Sequence, residues 1–119
     1  MSKDFGDFQT PHSLVNEIIT CLLHKGKQWT RVLEPTCGQG NFIKGLLEID
    51  NPPQEIQGIE IQDKYILSTQ ELVQGNKFSN ITVKQANIFN LDLRADLTWN
   101  NKGPLLILGN PPWLSLIHI

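Results

Sequence analysis

Short apolar runs alternate with stretches of helical period along this chain, and that alternation constrains its fold more than any other feature. Leu14, Val15, Ile18, Ile19, Leu22 and Leu23 form one apolar stripe at helical spacing. They predict a helix from about Pro11 to Leu23, with Thr10 as N-cap, Pro11 at the first helical position and Gly26 beyond the end. Arg31-Val32-Leu33-Glu34 reads as a first strand broken by Pro35. Phe42, Ile43, Leu46, Leu47 and Ile49 return to helical period until Asn51-Pro52-Pro53. Ile56 to Ile61 is a second strand, Tyr65 to Val73 a third helix closed near Gly75, and Ile81-Thr82-Val83 a third strand. Leu105-Leu106-Ile107-Leu108 is apolar without interruption, as expected of a strand buried on both faces of a parallel sheet. Strands alternating with helices imply right-handed crossovers and an open, doubly wound α/β sheet.

At 119 residues the chain makes one domain, small for an enzyme that must hold both a cofactor and a polymer. Hydrophobic residues at 39% and charged residues at 18% suit a globular protein rather than a disordered one. The run from Leu105 falls far short of a membrane span, and Met1 to Phe8 is polar and acidic without a signal-peptide core, so the expected location is the cytoplasm, with no membrane partner. Cys21 and Cys37 are too far apart for a metal knuckle and too few for a disulfide framework; no metal is expected. Ten Lys and Arg against twelve Asp and Glu leave a net charge of −2. The basic footprint of a self-sufficient nucleic-acid binder is missing, so any grip on DNA lies largely elsewhere.

Ligands of such sheets bind beyond the carboxyl ends of the strands, and the unusual residues fall there. Glu34 ends the first strand, and Pro35-Thr36-Cys37-Gly38-Gln39-Gly40 turns into the next helix. Glu60 ends the second strand about 20 residues after the last glycine, the spacing at which Rossmann-type sites put an acid on a ribose hydroxyl. A dinucleotide site needs a third glycine where Ile43 stands, and Glu34 would repel a pyrophosphate. A carboxylate there can instead face an ammonium group. S-adenosylmethionine carries a ribose diol, an amine and a sulfonium, and two acids beside an uncharged glycine turn match it. Alone, a Gly-x-Gly is equally an ordinary strand-to-helix turn; for Glu60 the ribose diol outweighs the reading as a solvated acid at a strand end. Ile61 is placed against the adenine face. In Ala86-Asn87-Ile88-Phe89, Asn87 is placed at the adenine amino group, and Phe89 reads either as a stacking surface or as plain core.

The last apolar run leads into Gly109-Asn110-Pro111-Pro112-Trp113. Two prolines fix φ and remove two N–H donors, so the loop is rigid and presents its carbonyls and the Asn110 side chain in set directions. The lone pair of an exocyclic amine such as adenine N6 is delocalised into its ring. Accepting both N6 hydrogens, through Asn110 Oδ1 and the Pro111 carbonyl, would localise that lone pair toward a methyl sulfonium by positioning and preorganised electrostatics. Trp113 offers a face for a base swung out of a duplex. On its own, a Pro-Pro after a strand is more often a loop terminator.

Taken in order, these segments resemble the N6-adenine DNA methyltransferases in which the cofactor half precedes the DNA-recognition half. Phe8-Gln9-Thr10-Pro11 resembles the family's opening segment, Val32 to Phe42 its glycine-loop motif, Gly58-Ile59-Glu60-Ile61 its ribose-binding motif, and Leu108 to Trp113 its catalytic motif. The resemblance implies a class I Rossmann-like open parallel sheet, cut off after its fourth strand. Residues 1–119 would be the N-terminal, cofactor-binding part, with the later strands and target-recognition domain absent. It implies S-adenosyl-L-methionine as cofactor, held by Thr10, Pro11, Glu34, Pro35, Thr36, Cys37, Gly38, Gly40, Glu60, Ile61, Asn87, Ile88, Phe89 and Asn110. Catalysis falls to Asn110, Pro111, Pro112 and Trp113, on double-stranded DNA in a restriction-modification setting, with a complementing C-terminal chain as one way to complete the enzyme. Two departures stand out: Asn87 occupies a position where the family usually has Asp, and Leu114 to Ile119 does not resemble the family's continuation beyond its catalytic motif. Asn-Pro-Pro-aromatic also occurs in enzymes that methylate a glutamine amide or an RNA guanine amine. A non-catalytic cofactor-binding remnant is the reading from outside enzymology.

Overall fold

The computed structural model describes residues 10–24, 28–35, 37–75 and 80–109. The elements are helix α1 (His12–His24), strand β1 (Arg31–Glu34), α2 (Asn41–Leu47), β2 (Glu55–Glu60), α3 (Asp63–Gly75), β3 (Asn80–Gln85), a 3-10 turn (Ile88–Asn90), α4 (Leu93–Asp96) and β4 (Leu105–Ile107). The strands make one parallel sheet in the order β3-β2-β1-β4, with Arg31 opposite both Glu55 and Leu105. This is the α/β architecture that the alternation predicts. The two central strands, β1 and β2, end on the two acids.

Period-two alternation divides the sheet into two cores. Val32, Ile56 and Ile81 point to one face, where Val15 and Ile19 of α1 and Phe42, Ile43 and Leu46 of α2 cover them. Each such side chain, fully buried, is worth about 1.5–3 kcal/mol. Leu33 and Ile59 point to the other face and meet Leu97, with Trp99 and Leu105 packed around them. Polar strand residues on this second face are clamped by the chain that crosses it. The buried Glu55 carboxylate accepts the backbone N–H groups of Asn100 and Asn101 and the Asn101 amide at 2.9–3.1 Å, and Gln57 donates to the Thr98 carbonyl at 2.8 Å. Arg31 reaches the Gly103 carbonyl from both Nε and Nη2 and lies 5.3 Å from the Trp99 ring centre.

Three sequence expectations need correcting. The first i→i−4 bond of α1 runs from the Val15 N–H to the Pro11 carbonyl, so Pro11 holds the cap position and His12 opens the helix. Thr10 lies outside the helix, and its carbonyl is bound elsewhere. Helix α2 stops at Leu47, because the Glu48 N–H turns back to the Gly45 carbonyl at 3.2 Å and closes the last turn early. Strand β4 is not buried on both faces. Ile107 is 57% exposed, and Leu105 and Leu106 are only half-buried. Among the described residues β4 is an edge strand whose Ile107 has no helix above it, and an apolar run does not record what packs on it.

Candidate cofactor site

The site forms where β1 and β2 run out. Beyond Glu34 the chain turns through Gly38 (φ 53°) and Gly40 (φ 83°), left-handed conformations that strain any residue with a Cβ. The turn is pinned to β2 by the Cys37 N–H on the Ile59 carbonyl at 2.9 Å, and closed by the Gly40 N–H on the Cys37 carbonyl at 2.8 Å. Gly40 also serves a neighbour: a Cβ there would come within 2.7 Å of Leu72 Cδ1 and 3.2 Å of Thr69 Cγ2. Its missing side chain therefore gives α3 room to pack against the turn. Gly58 does the same for the turn, since its Cβ would meet the Cys37 Sγ at 3.1 Å.

Glu60 is held rather than solvated. Its Oε1 accepts the Gly38 N–H and its Oε2 the Gln62 N–H, both at 2.8 Å. A carboxylate has about four lone-pair sites, so one remains on each oxygen for a diol. Glu34 is 2% exposed, and its Oε1 has no hydrogen-bond partner. Burial first, then the Glu60 carboxylate beside it, push the Glu34 carboxyl well above the ordinary 4.5, while the Ile43 N–H pulls the other way. A cationic group brought to Glu34 would supply what this oxygen lacks. That fits an amine and sulfonium carrier and does not fit a phosphate.

Thr10 and Pro11 come to the same place: the Thr10 carbonyl accepts Asn41 Nδ2 at 2.8 Å, joining the start of α1 to the first residue after the glycine turn. Ala86 binds the Glu60 carbonyl through its N–H at 3.0 Å, bringing Asn87 beside the acid. Asn87 Oδ1 accepts the Phe89 N–H at 3.0 Å. Ile61 and Phe89 are 37% and 53% exposed, so Phe89 is not core; both present apolar surface, Ile61 directly after Glu60 and Phe89 just beyond Asn87 in the chain. Ile88 turns to the second core, and the Cys37 side chain lies in the first, where burial and the two nearby acids push its thiol far up. Pro35 abuts the chain after β4, with its Cδ 3.2 Å from where a Gly109 Cβ would lie. Thr36 and Asn110, Pro111, Pro112 and Trp113 lie outside the described residues.

Sequence reasoning missed Asn41, whose amide makes the Thr10 link, and Gln85, whose Nε2 bonds the Ile61 carbonyl at 3.3 Å and Asp63 Oδ1. Asn41 carried a signal, being an amide at the first position after the glycine turn. Gln85 carried none, since a polar residue ending an edge strand looks like any solvated one.

An open parallel sheet whose carboxyl edge holds a left-handed glycine turn, a buried acid with one unpartnered oxygen and a second acid tied to the turn is an α/β arrangement suited to a cationic nucleoside ligand. Residues 26–106 match the family model described as a methyltransferase domain, and the chain belongs to that family, which implies S-adenosylmethionine as methyl donor. It is 32% identical over 115 residues to the type II methyltransferase M.NspV of Nostoc sp., covering 94% of this chain and 23% of that protein. It is 30% identical over 112 residues to the 23S rRNA (uracil(1939)-C(5))-methyltransferase RlmD of Acinetobacter baumannii, covering 89% of this chain and 23% of that one. The chain thus spans about a quarter of the length of these curated relatives. In fold it is similar to the crystal structure of EvdMO1, with a TM-score of 0.59 at 17% identity over 86% of this chain and 25% of that one.

Proposed function

We propose that this chain is the cofactor-binding part of a DNA methyltransferase that transfers a methyl group from S-adenosylmethionine to adenine N6. The observation that carries the cofactor half is Glu60, fastened to Gly38 with acceptor capacity to spare, beside Glu34, whose Oε1 has no partner. In this reading Glu60 takes the ribose diol, Glu34 the amino acid's positive end, and Ile61, Asn87 and Phe89 the base. The bound cofactor supplies an electrophilic methyl group. Asn110 and Pro111 accept the amine hydrogens of the target base, Pro112 stiffens the loop, and Trp113 stacks on the base.

The similarity to an RNA uracil-C5 methyltransferase supports a second reading that sequence reasoning did not weigh. Carbon C5 of uracil becomes nucleophilic only after a nucleophile adds to the ring, the covalent route that a thiolate suits. Cys37 is buried with its thiol pushed far up, the opposite of an activated nucleophile. The Asn110-Pro111-Pro112-Trp113 pattern, made for an exocyclic amine, favours adenine, as does the similarity to a type II enzyme. The glutamine-amide and guanine-amine readings share that pattern, and Trp113 with Thr10-Pro11 favours DNA over them.

The test is transfer of labelled methyl to duplex DNA, ribosomal RNA and a release-factor-like protein, by this chain alone and by the chain joined to the remaining portion of the Nostoc enzyme. Label recovered as N6-methyladenine in DNA supports the reading. Label in uracil, guanine or glutamine overturns it, and robust transfer by the chain alone overturns its being only a part. Cofactor binding by a folded chain with no transfer to any substrate, alone or joined, would favour the non-catalytic remnant.

A further inference from the structure

A cleft of about 410 Å³ opens between α2 and α3, and Gln39 of the glycine turn lines it too. Helical spacing makes its two walls. Asn41 and Lys44, three residues apart, line it from α2, and Lys64, Ser68 and Leu72, each four apart, line it from α3. The walls meet closely: a Cβ at Gly40 would come within 2.7 Å of Leu72 Cδ1, so the bare glycine lets α3 settle against the turn that starts α2. The Lys64 ammonium lies 4.8 Å from the centre of the buried Tyr65 ring, a fixed surface that holds the charge at the cleft. The polar groups here are rich in donors, with two ammoniums, the Ser68 hydroxyl and the Gln39 amide. Among the described residues no Asp or Glu lines the cleft. Two positive charges thus share one recess in a chain whose net charge is −2. Charges of one sign gathered this way repel each other and attract an anion.

We propose that this cleft holds the phosphate backbone of the DNA substrate, with Lys44 and Lys64 as its positive contacts and Ser68 as a neutral donor. The inference rests on the DNA reading above and adds a place on this chain where the strand is gripped. Gln39 belongs both to the glycine turn and to the cleft, so a backbone held there lies beside the cofactor edge. Such a contact reads no bases and serves to position the strand. Two lysines are a small share of a DNA-binding surface, which agrees with the chain's net charge and leaves the larger grip elsewhere.

The experiment is an NMR titration of the isotope-labelled chain with a short DNA duplex at low salt, a method that reads weak contacts residue by residue. Saturable shifts are expected at Gln39, Lys44, Lys64 and Ser68. Both lysines are exposed, so Lys44→Gln combined with Lys64→Gln leaves the packing in place. The double variant should lose at least about tenfold in DNA affinity, and its log affinity should fall less steeply with log salt, by about one per lysine. Its affinity for S-adenosylhomocysteine should stay within about twofold of the natural chain's. Absence of saturable shifts at the cleft, an unchanged salt slope, or equal shifts from inorganic phosphate at matched phosphate concentration overturns the inference. So does loss of S-adenosylhomocysteine affinity in the double variant, which would assign the lysines to the cofactor. In the chain joined to the remaining portion of the Nostoc enzyme, the double variant should raise KM for DNA and keep kcat. Label reaching adenine with KM unmoved defeats the inference alone, whereas label in uracil, guanine or glutamine defeats the DNA reading and the inference with it.

Discussion

The Gly38 N–H donates to Glu60 Oε1 at 2.8 Å, joining the glycine turn to the acid that ends β2 across 22 residues of sequence. The acid and the turn thus form one unit, and a change at either is felt at both.

Glu60→Gln tests that unit. The amide keeps the volume but offers one acceptor oxygen where the carboxylate has two, so either the Gly38 or the Gln62 N–H loses its partner. The expected outcome is loss of about 1.5–3 kcal/mol of stability together with at least about a tenfold loss of S-adenosylhomocysteine affinity. Denaturant titration and calorimetry read the two separately. Unchanged affinity in a folded variant removes Glu60 from the site.

Glu34→Gln probes the buried acid through pH. The folded-state value of Glu34 lies above its unfolded one, so its contribution is fully present below about 4.5 and is lost as pH rises through the raised folded value. The variant escapes that loss. It should be more stable than the natural chain at pH 7, by about 1–3 kcal/mol, and lose the advantage near pH 4. Thermal unfolding of both proteins across this range checks it, and parallel curves would contradict it.

Glu55 works in the opposite sense. Burial opposes its charge, but the Asn101 amide, the N–H groups of Asn100 and Asn101, and the Gln57 side chain outweigh burial and hold the carboxyl below the ordinary 4.5. Its stabilisation is present above that value and fades as pH falls through the lowered one. Glu55→Ala should cost about 1–3 kcal/mol at pH 7 and much less at pH 3, because two part-buried N–H donors lose a charged partner. Hydrogen exchange at Asn100 and Asn101 should quicken first.

Gly45 reports on the helix pair. A Cβ there would lie 2.8 Å from both Val15 Cγ1 and Ile19 Cδ1, closer than real contacts allow. Gly45→Ala should push α1 off α2 and cost about 1–3 kcal/mol, more than the gain in helix propensity returns. An unchanged urea midpoint would show that the two tips move aside freely.

Much of this was legible because period and punctuation are local. Strand β1 runs over the residues read from sequence, and β2 and β3 differ only at their ends, where pairing partners decide the last residue. The two acids and the glycine turn were legible as strand-end residues, and the fold brings Gly38, Glu60 and Ala86 into one hydrogen-bonded edge. The illegible part is non-local. Nothing near Gly45 says that α1 crosses there, nothing near Gly40 says that α3 fills the space, and the Leu105 run cannot report that Ile107 is left bare. Phe89 was open between stacking and core for the same reason, and its exposure removes the second.

Strand β1 has one consequence for the order in which the sheet assembles. Its link to the cofactor edge needs contacts such as Gly38 to Glu60, 22 residues apart, whereas its link to β4 needs Arg31 to meet Gly103, 72 residues away. Short loops close at lower entropic cost and sooner. The cofactor edge can therefore form while the chain that carries Asn110 is still arriving, and β4 joins a sheet whose acids are already in position.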